Sequence, residues 1–309
     1  MIRRRTLLAG MAAGVSAGPA FAQAWKSQYP ELVYAAVPAE NASGVADRMA
    51  PFVDYLSKAI GTKVTLRIAN DYAAVIEGQR AGNIHIGYYG PASFARARLT
   101  GVKTDAFIID VNSDGTKGYY SVFYVKASSP YKSVEDLKGK NLGLVDPNST
   151  SGYNMPLFAL DKRGITADKF FGKVEVTGSH ENGVIALDKG TVDCAADWWN
   201  SDTDSNLTRM VKKGMVKNPD GSPAKVSDFR IILKSDLIIN SPTAMLSDLP
   251  PDLKATITSA FMNAATADKA AFDKLSDGKN LPWQPIANED YNDTIKLIQF
   301  VDALRKKSA

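Results

Sequence analysis

Residues Val75–Tyr89 read VIEGQRAGNIHIGYY, and residues Val184–Trp199 read VIALDKGTVDCAADWW. Each begins with apolar residues at helical spacing, stops at a glycine (Gly82, Gly190) and enters a short apolar run ending in two aromatics. Helix, glycine stop and strand together make the repeating unit of an α/β sheet. The two copies differ by one residue in spacing, so they point to two similar lobes rather than to a strict repeat. Outward from the first copy the alternation continues. LVYAAVP (32–38) reads as a strand, VADRMAPFVDYLSKAIG (45–61) as an amphipathic helix closed by glycine, and KVTLRIA (63–69) as a strand. FARARLTG (94–101) and DAFIIDV (105–111) carry on the pattern.

The expectation is an α/β chain of two lobes with a mainly parallel sheet in each, two interdomain crossings and C-terminal helices. The strand SVFYVK (121–126) leads through Ser128-Ser129-Pro130 into a new segment, which places the first crossing near Lys126. The second follows FRIILKS (229–235), where DLIINSPTAML returns to the first lobe. The lobes are therefore 23–126 plus 238–309, and 127–237. The tail, 250–275 and 289–307, reads as two helices, with Tyr291, Ile295, Ile298 and Val301 on one docking face. Two lobes joined twice leave a cleft between them, the usual place for a small ligand.

The N-terminus, MIRRRTLLAGMAAGVSAGPAFAQAW, has a basic run (Arg3 to Arg5), an apolar stretch and Ala20-Phe21-Ala22 before Gln23. That is the pattern of an export signal, residues 1–22, cleaved near Ala22–Gln23 into a periplasm. The tandem arginines fit a twin-arginine signal, and the general secretory route fits as well. The formal charge is +4 from 37 basic and 33 acidic side chains, and three of those arginines are in the leader. The remaining chain sits near +1, which gives no basic face for nucleic acid. No other stretch is long and apolar enough to embed in a membrane. With one cysteine (Cys194) and two histidines (His85, His180), internal disulfides, zinc sites and resident cofactors are not expected.

The stretch VDPNSTSGYNMP (145–156) separates the strand-like NLGLVD from the helical PLFALDKRG. Three consecutive hydroxyls, Ser149, Thr150 and Ser151, therefore stand in a strand-to-helix turn. Unpaired N–H groups and the positive end of a helix dipole make such a turn an anion site. The plainer reading is N-capping, but a cap uses one hydroxyl, not three.

In order along the chain, DYAAVIEGQRAGNIHIGYYG (71–90), DGTKGYYSVFYVK (114–126), VDPNSTSGYNMP and GSHENGVIALDKGTVDCAA (178–196) resemble the phosphonate-binding proteins of phosphonate ABC importers. The resemblance implies the type II periplasmic binding protein fold, a phosphonate-type ligand, no enzymatic activity, an ABC permease as partner and a monomer. It also implies that Tyr72, Tyr119, Ser149, Thr150, Ser151 and His180 hold the phosphonate oxygens. Hydroxyls, phenols, N–H groups and an imidazole can all donate to three such oxygens without any arginine. The plainer readings are that Asp71 caps the helix and Tyr72 packs there, that Tyr119 is half-buried in its strand, and that His180 is a satisfied polar residue. His85 stands where relatives usually carry aspartate and reads as structural.

Members that take 2-aminoethylphosphonate hold its ammonium with two acids. Here those positions fall at or near Asn200 in DWWNSD and at Ser241 in LIINSP, unless a shifted register brings in Asp197, Asp202 or Asp204. An end of the pocket indifferent to amines is therefore expected. Trp198 and Trp199 offer either packing at a core edge and over the hinge, or an aromatic wall able to face a substituent or a quaternary ammonium. Competing readings are a ligand presenter for a sensor and a phosphoester hydrolase. For the hydrolase, His180 near the hydroxyl run resembles a Ser–His pair without a visible third group.

Overall fold

The computed structural model describes residues 24–218 and 220–308, so the expected export signal lies outside the described residues. In the first part of the chain come α1 (Trp25–Gln28), β1 (Glu31–Ala36), α2 (Ala42–Ile60), β2 (Lys63–Ile68), α3 (Tyr72–Arg80), β3 (Ile86–Tyr88), α4 (Pro91–Leu99) and β4 (Thr104–Asn112). The middle holds β5 (Gly118–Lys126), β6 (Asn141–Leu144), α5 (Met155–Asp161), α6 (Ala167–Phe170), β7 (Lys173–Val176), α7 (His180–Asp188), β8 (Cys194–Ser201), β9 (Asp204–Ser205) and α8 (Asn206–Lys212). The rest is β10 (Phe229–Lys234), β11 (Ile238–Ile239), β12 (Pro242–Leu246), α9 (Pro251–Ala267), α10 (Lys269–Ser276), β13 (Asn280–Pro285) and α11 (Asn292–Ser308).

The apolar run at β1 is buried on both faces, as a central strand requires. Leu32, Tyr34 and Ala36 pack with Phe52 and Leu56 of α2, while Ala35 packs with Val75 and Ile76 of α3 on the other side. Gly61, with φ 74°, closes α2 in the left-handed conformation that the glycine stop predicts.

Two sheets form, in the orders β13-β4-β12-β3-β1-β2 and β10-β5-β8-β6-β7. The two-lobed α/β architecture follows the expectation, but each sheet is mixed rather than mainly parallel. The parallel pairs are β1 with β2 and β3, and β6 with β7 and β8. Strands β12 and β5 run antiparallel to their neighbours. The reason is the crossings. Parallel strands end at the cleft, and a strand that arrives from the other lobe starts there, so it must run back the opposite way.

The chain changes sheets between β4 and β5, and again between β11 and β12. The expected boundary at Lys126 instead falls at the end of β5, inside the second sheet, because an apolar run does not announce which sheet it joins. In the crossings, Ile238 pairs with Tyr119, and Asn240 donates to the carbonyls of Lys117 and Asp110, each at 2.9 Å.

The tail is richer than two helices. Asp268 breaks the first into α9 and α10 by accepting from Ala271 N at 3.0 Å. The strand β13 then adds to the edge of the first sheet, the place where its two prolines are tolerated. The docking face seats as expected, with Tyr291 just before α11 and Ile298 and Val301 on it fully buried, and Ile295 partly so.

Candidate functional site

After β6 the backbone turns sharply. Val145 N donates to Gly152 O at 2.8 Å, and Ser149 N to Asp146 O at 2.7 Å. Ser149 is the N-cap of a π-helical turn, Thr150–Asn154, that runs into α5; its Oγ accepts from Gly152 N at 3.1 Å. Gly152 is required, since a Cβ there would stand 2.3 Å from the Val145 side chain. Ser149, Thr150 and Ser151 are buried. Thr150 has a second task. Its Oγ1 accepts from Ala92 N at 2.8 Å, capping α4 of the opposite lobe, where Gly90 offers no side chain.

Other helix starts point into the same space. Asp71 caps α3 by accepting from Ala74 N at 2.7 Å, which leaves the buried Tyr72 at its first position, lining the same space as Ser149. Tyr119, at the cleft end of β5, places its hydroxyl against Thr150 and Ser151. Burial pushes the Tyr119 phenol up to about 12 and the Tyr72 phenol higher still, so both stay protonated donors at neutral pH. Ser179 caps α7, which brings His180 to its first position. His180 Nε2 lies 3.5 Å from Ser149 Oγ. Its Nδ1 is 2.8 Å from Asp197 Oδ1, too bent for a full hydrogen bond. Hydroxyls, phenols, an imidazole and the starts of α3, α4 and α7 thus converge from both lobes on a cavity of about 200 Å³. Such a volume suits a small ligand, below the range of drug-sized pockets.

Of the ten residues expected at the site, nine line this cavity; Trp199 does not. Successive side chains on a strand face opposite ways, so β8 turns Trp198 inward and Trp199 away. Neither ring is a free wall. The Arg209 guanidinium sits 4.8 Å from the Trp198 ring, and Lys234 Nζ lies 4.0 Å from the Trp199 ring, which also packs on Tyr120. Asn200 and Ser241 line the cavity as neutral groups, and Asn200 donates to Asp204 Oδ2 at 2.7 Å. His85 lies outside the cavity, its Nδ1 accepting from Val33 N at 2.9 Å.

The sequence reading missed several lining residues, including Tyr34, Glu40, Tyr88, Asp110, Arg209 and Trp283. Most stand at or just beyond the cleft ends of strands, and that position was the available signal. Glu40, after β1, spans the lobes. Its Oε1 lies 2.9 Å from Arg48 and 3.3 Å from Arg209, and its Oε2 lies 3.6 Å from Lys213. Burial raises its carboxyl, but the three cations outweigh burial and leave it below its ordinary value. Asn41 N also donates to Glu181 Oε2 at 2.7 Å, and His180 N to Ala39 O at 3.2 Å, so the lobes are clasped beside the site. Asp197 is the third group that was not visible beside Ser149 and His180. Among the described residues, no cluster of three His, Cys, Asp or Glu is placed to hold a metal, and no helix is long and apolar enough to cross a membrane.

Residues 34–291 match the family described as ABC transporter, phosphonate, periplasmic substrate-binding protein. The chain belongs to this phosphonate-binding family. It is 30% identical over 267 residues to the phosphonates-binding periplasmic protein of Escherichia coli K12, covering 84% of this chain and 72% of that one. It is 28% identical over 283 residues to the phosphate-import protein PhnD of Mycolicibacterium smegmatis, covering 85% and 84%. Its fold superposes on PhnD1 of Prochlorococcus marinus in complex with methylphosphonate, with a TM-score of 0.73, 20% identity, and coverage of 88% of this chain and 98% of that one. Members of the phosphonate-binding family are solute-binding components of ABC transporters, and the family is periplasmic.

Proposed function

We propose that this phosphonate-family protein captures a phosphonate or related phosphorus oxyanion in the interlobe cavity and delivers it to an ABC permease. It would act in the periplasm, as a monomer, after cleavage near Ala22–Gln23. The observation that carries this reading is the meeting of Ser149, Thr150 and Ser151 with Tyr72, Tyr119 and His180 at three helix starts. These groups supply donors on several sides, and none of them is an arginine or a lysine. Such a site binds by directed hydrogen bonds and lets go when they part.

Calorimetric titration of the protein with methylphosphonate, with phosphate and sulfate beside it, tests the reading. Saturable binding of methylphosphonate with sulfate binding poorly is the expected result. Binding of phosphate alone would move the ligand to a phosphate, in line with the mycobacterial relative. Binding of none would remove the reading.

A hydrolase reading has one observation in its favour, the sequence of contacts from Ser149 through His180 to Asp197. Three features weigh against it. The Ser149 Oγ is occupied as an N-cap, its 3.5 Å separation from Nε2 is long for proton transfer, and the His180–Asp197 contact is bent. A chromogenic phosphate ester should therefore not turn over.

A further inference from the structure

Away from the oxyanion donors the cavity extends into the first lobe, between Tyr34, Tyr88 and Trp283. Two first-lobe carboxylates line the cavity, Glu40, which is paired with Arg48, Arg209 and Lys213, and Asp110 of β4. Tyr88 donates to its Oδ2 and Trp283 Nε1 to its Oδ1, both at 2.7 Å. Tyr34 completes the enclosure, its hydroxyl near Thr243 and its ring within the field of Asp110. Among the described residues no Lys, Arg or His nitrogen lies within ion-pair distance of Asp110. The two guanidiniums whose fields reach it, Arg48 and Arg209, both pair with Glu40. Burial raises the Asp110 carboxyl, as expected of an enclosed acid held by neutral donors.

An enclosed carboxylate without an ion-pair partner of its own is costly, and a neutral amide could accept from one of the same two donors. Aromatic faces beside an acid offer a cation both π attraction and charge. The Trp198 face at the other wall is already taken by Arg209, Trp199 faces away from the cavity, and Asn200 and Ser241 bring no charge. Resting on the phosphonate reading, we propose that the ligand is a zwitterion: its oxyanion sits at Ser149–Ser151 and an alkylammonium tail lies against Asp110 between Tyr34, Tyr88 and Trp283. This replaces the amine-indifferent pocket expected from the missing family acids. The charge that recognises the tail comes from a different strand.

Calorimetry with matched pairs tests it. 2-Aminoethylphosphonate is compared with propylphosphonate, and 2-(trimethylammonio)ethylphosphonate with 3,3-dimethylbutylphosphonate, on the wild type and on Asp110→Asn. At least one ammonium ligand should bind about tenfold or more tightly than its neutral partner, and Asp110→Asn should erase that ratio. Whichever pair shows the ratio tells a primary from a methylated ammonium. A thermal melt and circular dichroism spectrum of Asp110→Asn close to those of the wild type show that the variant is folded, and the charged-to-neutral ratio is compared within each protein. Equal binding of charged and neutral partners by the wild type would overturn the inference while leaving the phosphonate reading intact, and needs no variant. So would a ratio that survives Asp110→Asn. If no phosphonate in either pair bound, the phosphonate reading itself would fall, and this inference with it.

Discussion

One end of the cavity is lined by hydroxyls, phenols and helix starts drawn from both lobes; the other is lined by strand-borne aromatics and carboxylates from the first lobe. The first end is assembled only when the lobes meet, since Thr150 caps α4 across the cleft and Tyr72 lines the cavity opposite Ser149. The second end is complete within one lobe. A ligand with two different ends could therefore dock its tail on the first lobe and have its oxyanion closed over by the second, an order that hinge closure readily supports.

The largest effects should come from the shared end. Ser149→Ala and Thr150→Ala should each weaken methylphosphonate binding by about 1–3 kcal/mol, because each leaves a buried oxygen short of a donor. Calorimetry that found both variants unchanged would mean that the oxyanion lies elsewhere and the contrast between the ends is wrong. Next comes the clasp. Glu40→Gln should cost about 1–2 kcal/mol of closure, between the exposed and the buried cases for ion pairs, and should enlarge the ligand-bound radius of gyration in X-ray scattering. Because the Glu40 carboxyl is held below its ordinary value, its stabilisation is complete above the usual carboxylate range and disappears as pH falls through the lowered value. A pH series of melting curves should show that loss in the wild type and a smaller one in Glu40→Gln.

Smaller again is Tyr72→Phe, which removes one donor and should cost about 0.5–1.5 kcal/mol in methylphosphonate affinity. A cost near zero would reduce Tyr72 to the packing role that its helix position also allows. The smallest effect belongs to Trp199. Since its side chain faces away from the cavity, Trp199→Phe should leave affinity within about twofold, and a large loss would mean that β8 is turned the other way.

The two ends also differ in how far they could be foreseen. The hydroxyl end is written in contiguous residues: a strand, three hydroxyls, a glycine and a helix are neighbours in sequence because they are neighbours in space. The tail end is gathered from β1, β3, β4 and β13, so Tyr34, Tyr88, Asp110 and Trp283 share no local pattern. Asp110 sits in DAFIIDV, a run that reads only as core, and Trp283 lies in a proline-bearing strand that the helical tail obscured. The alternation of elements marked two lobes, but pairing partners decide strand direction. The sheets are mixed because β5 and β12 arrive from the other lobe and β13 adds antiparallel at an edge, long-range facts with no residue signature. The Glu40 clasp is hidden for the same reason, joining residues 169 positions apart at Arg209.

The capping of α4 by Thr150 also has a mechanical meaning. A few ångströms of separation would withdraw Thr150 from Ala92 and carry Ser149 away from the Tyr72 side of the cavity together, so affinity becomes a function of hinge angle. A transporter that pries the lobes apart would then unload the cargo by geometry alone, with no competing anion and no change of protonation at the site.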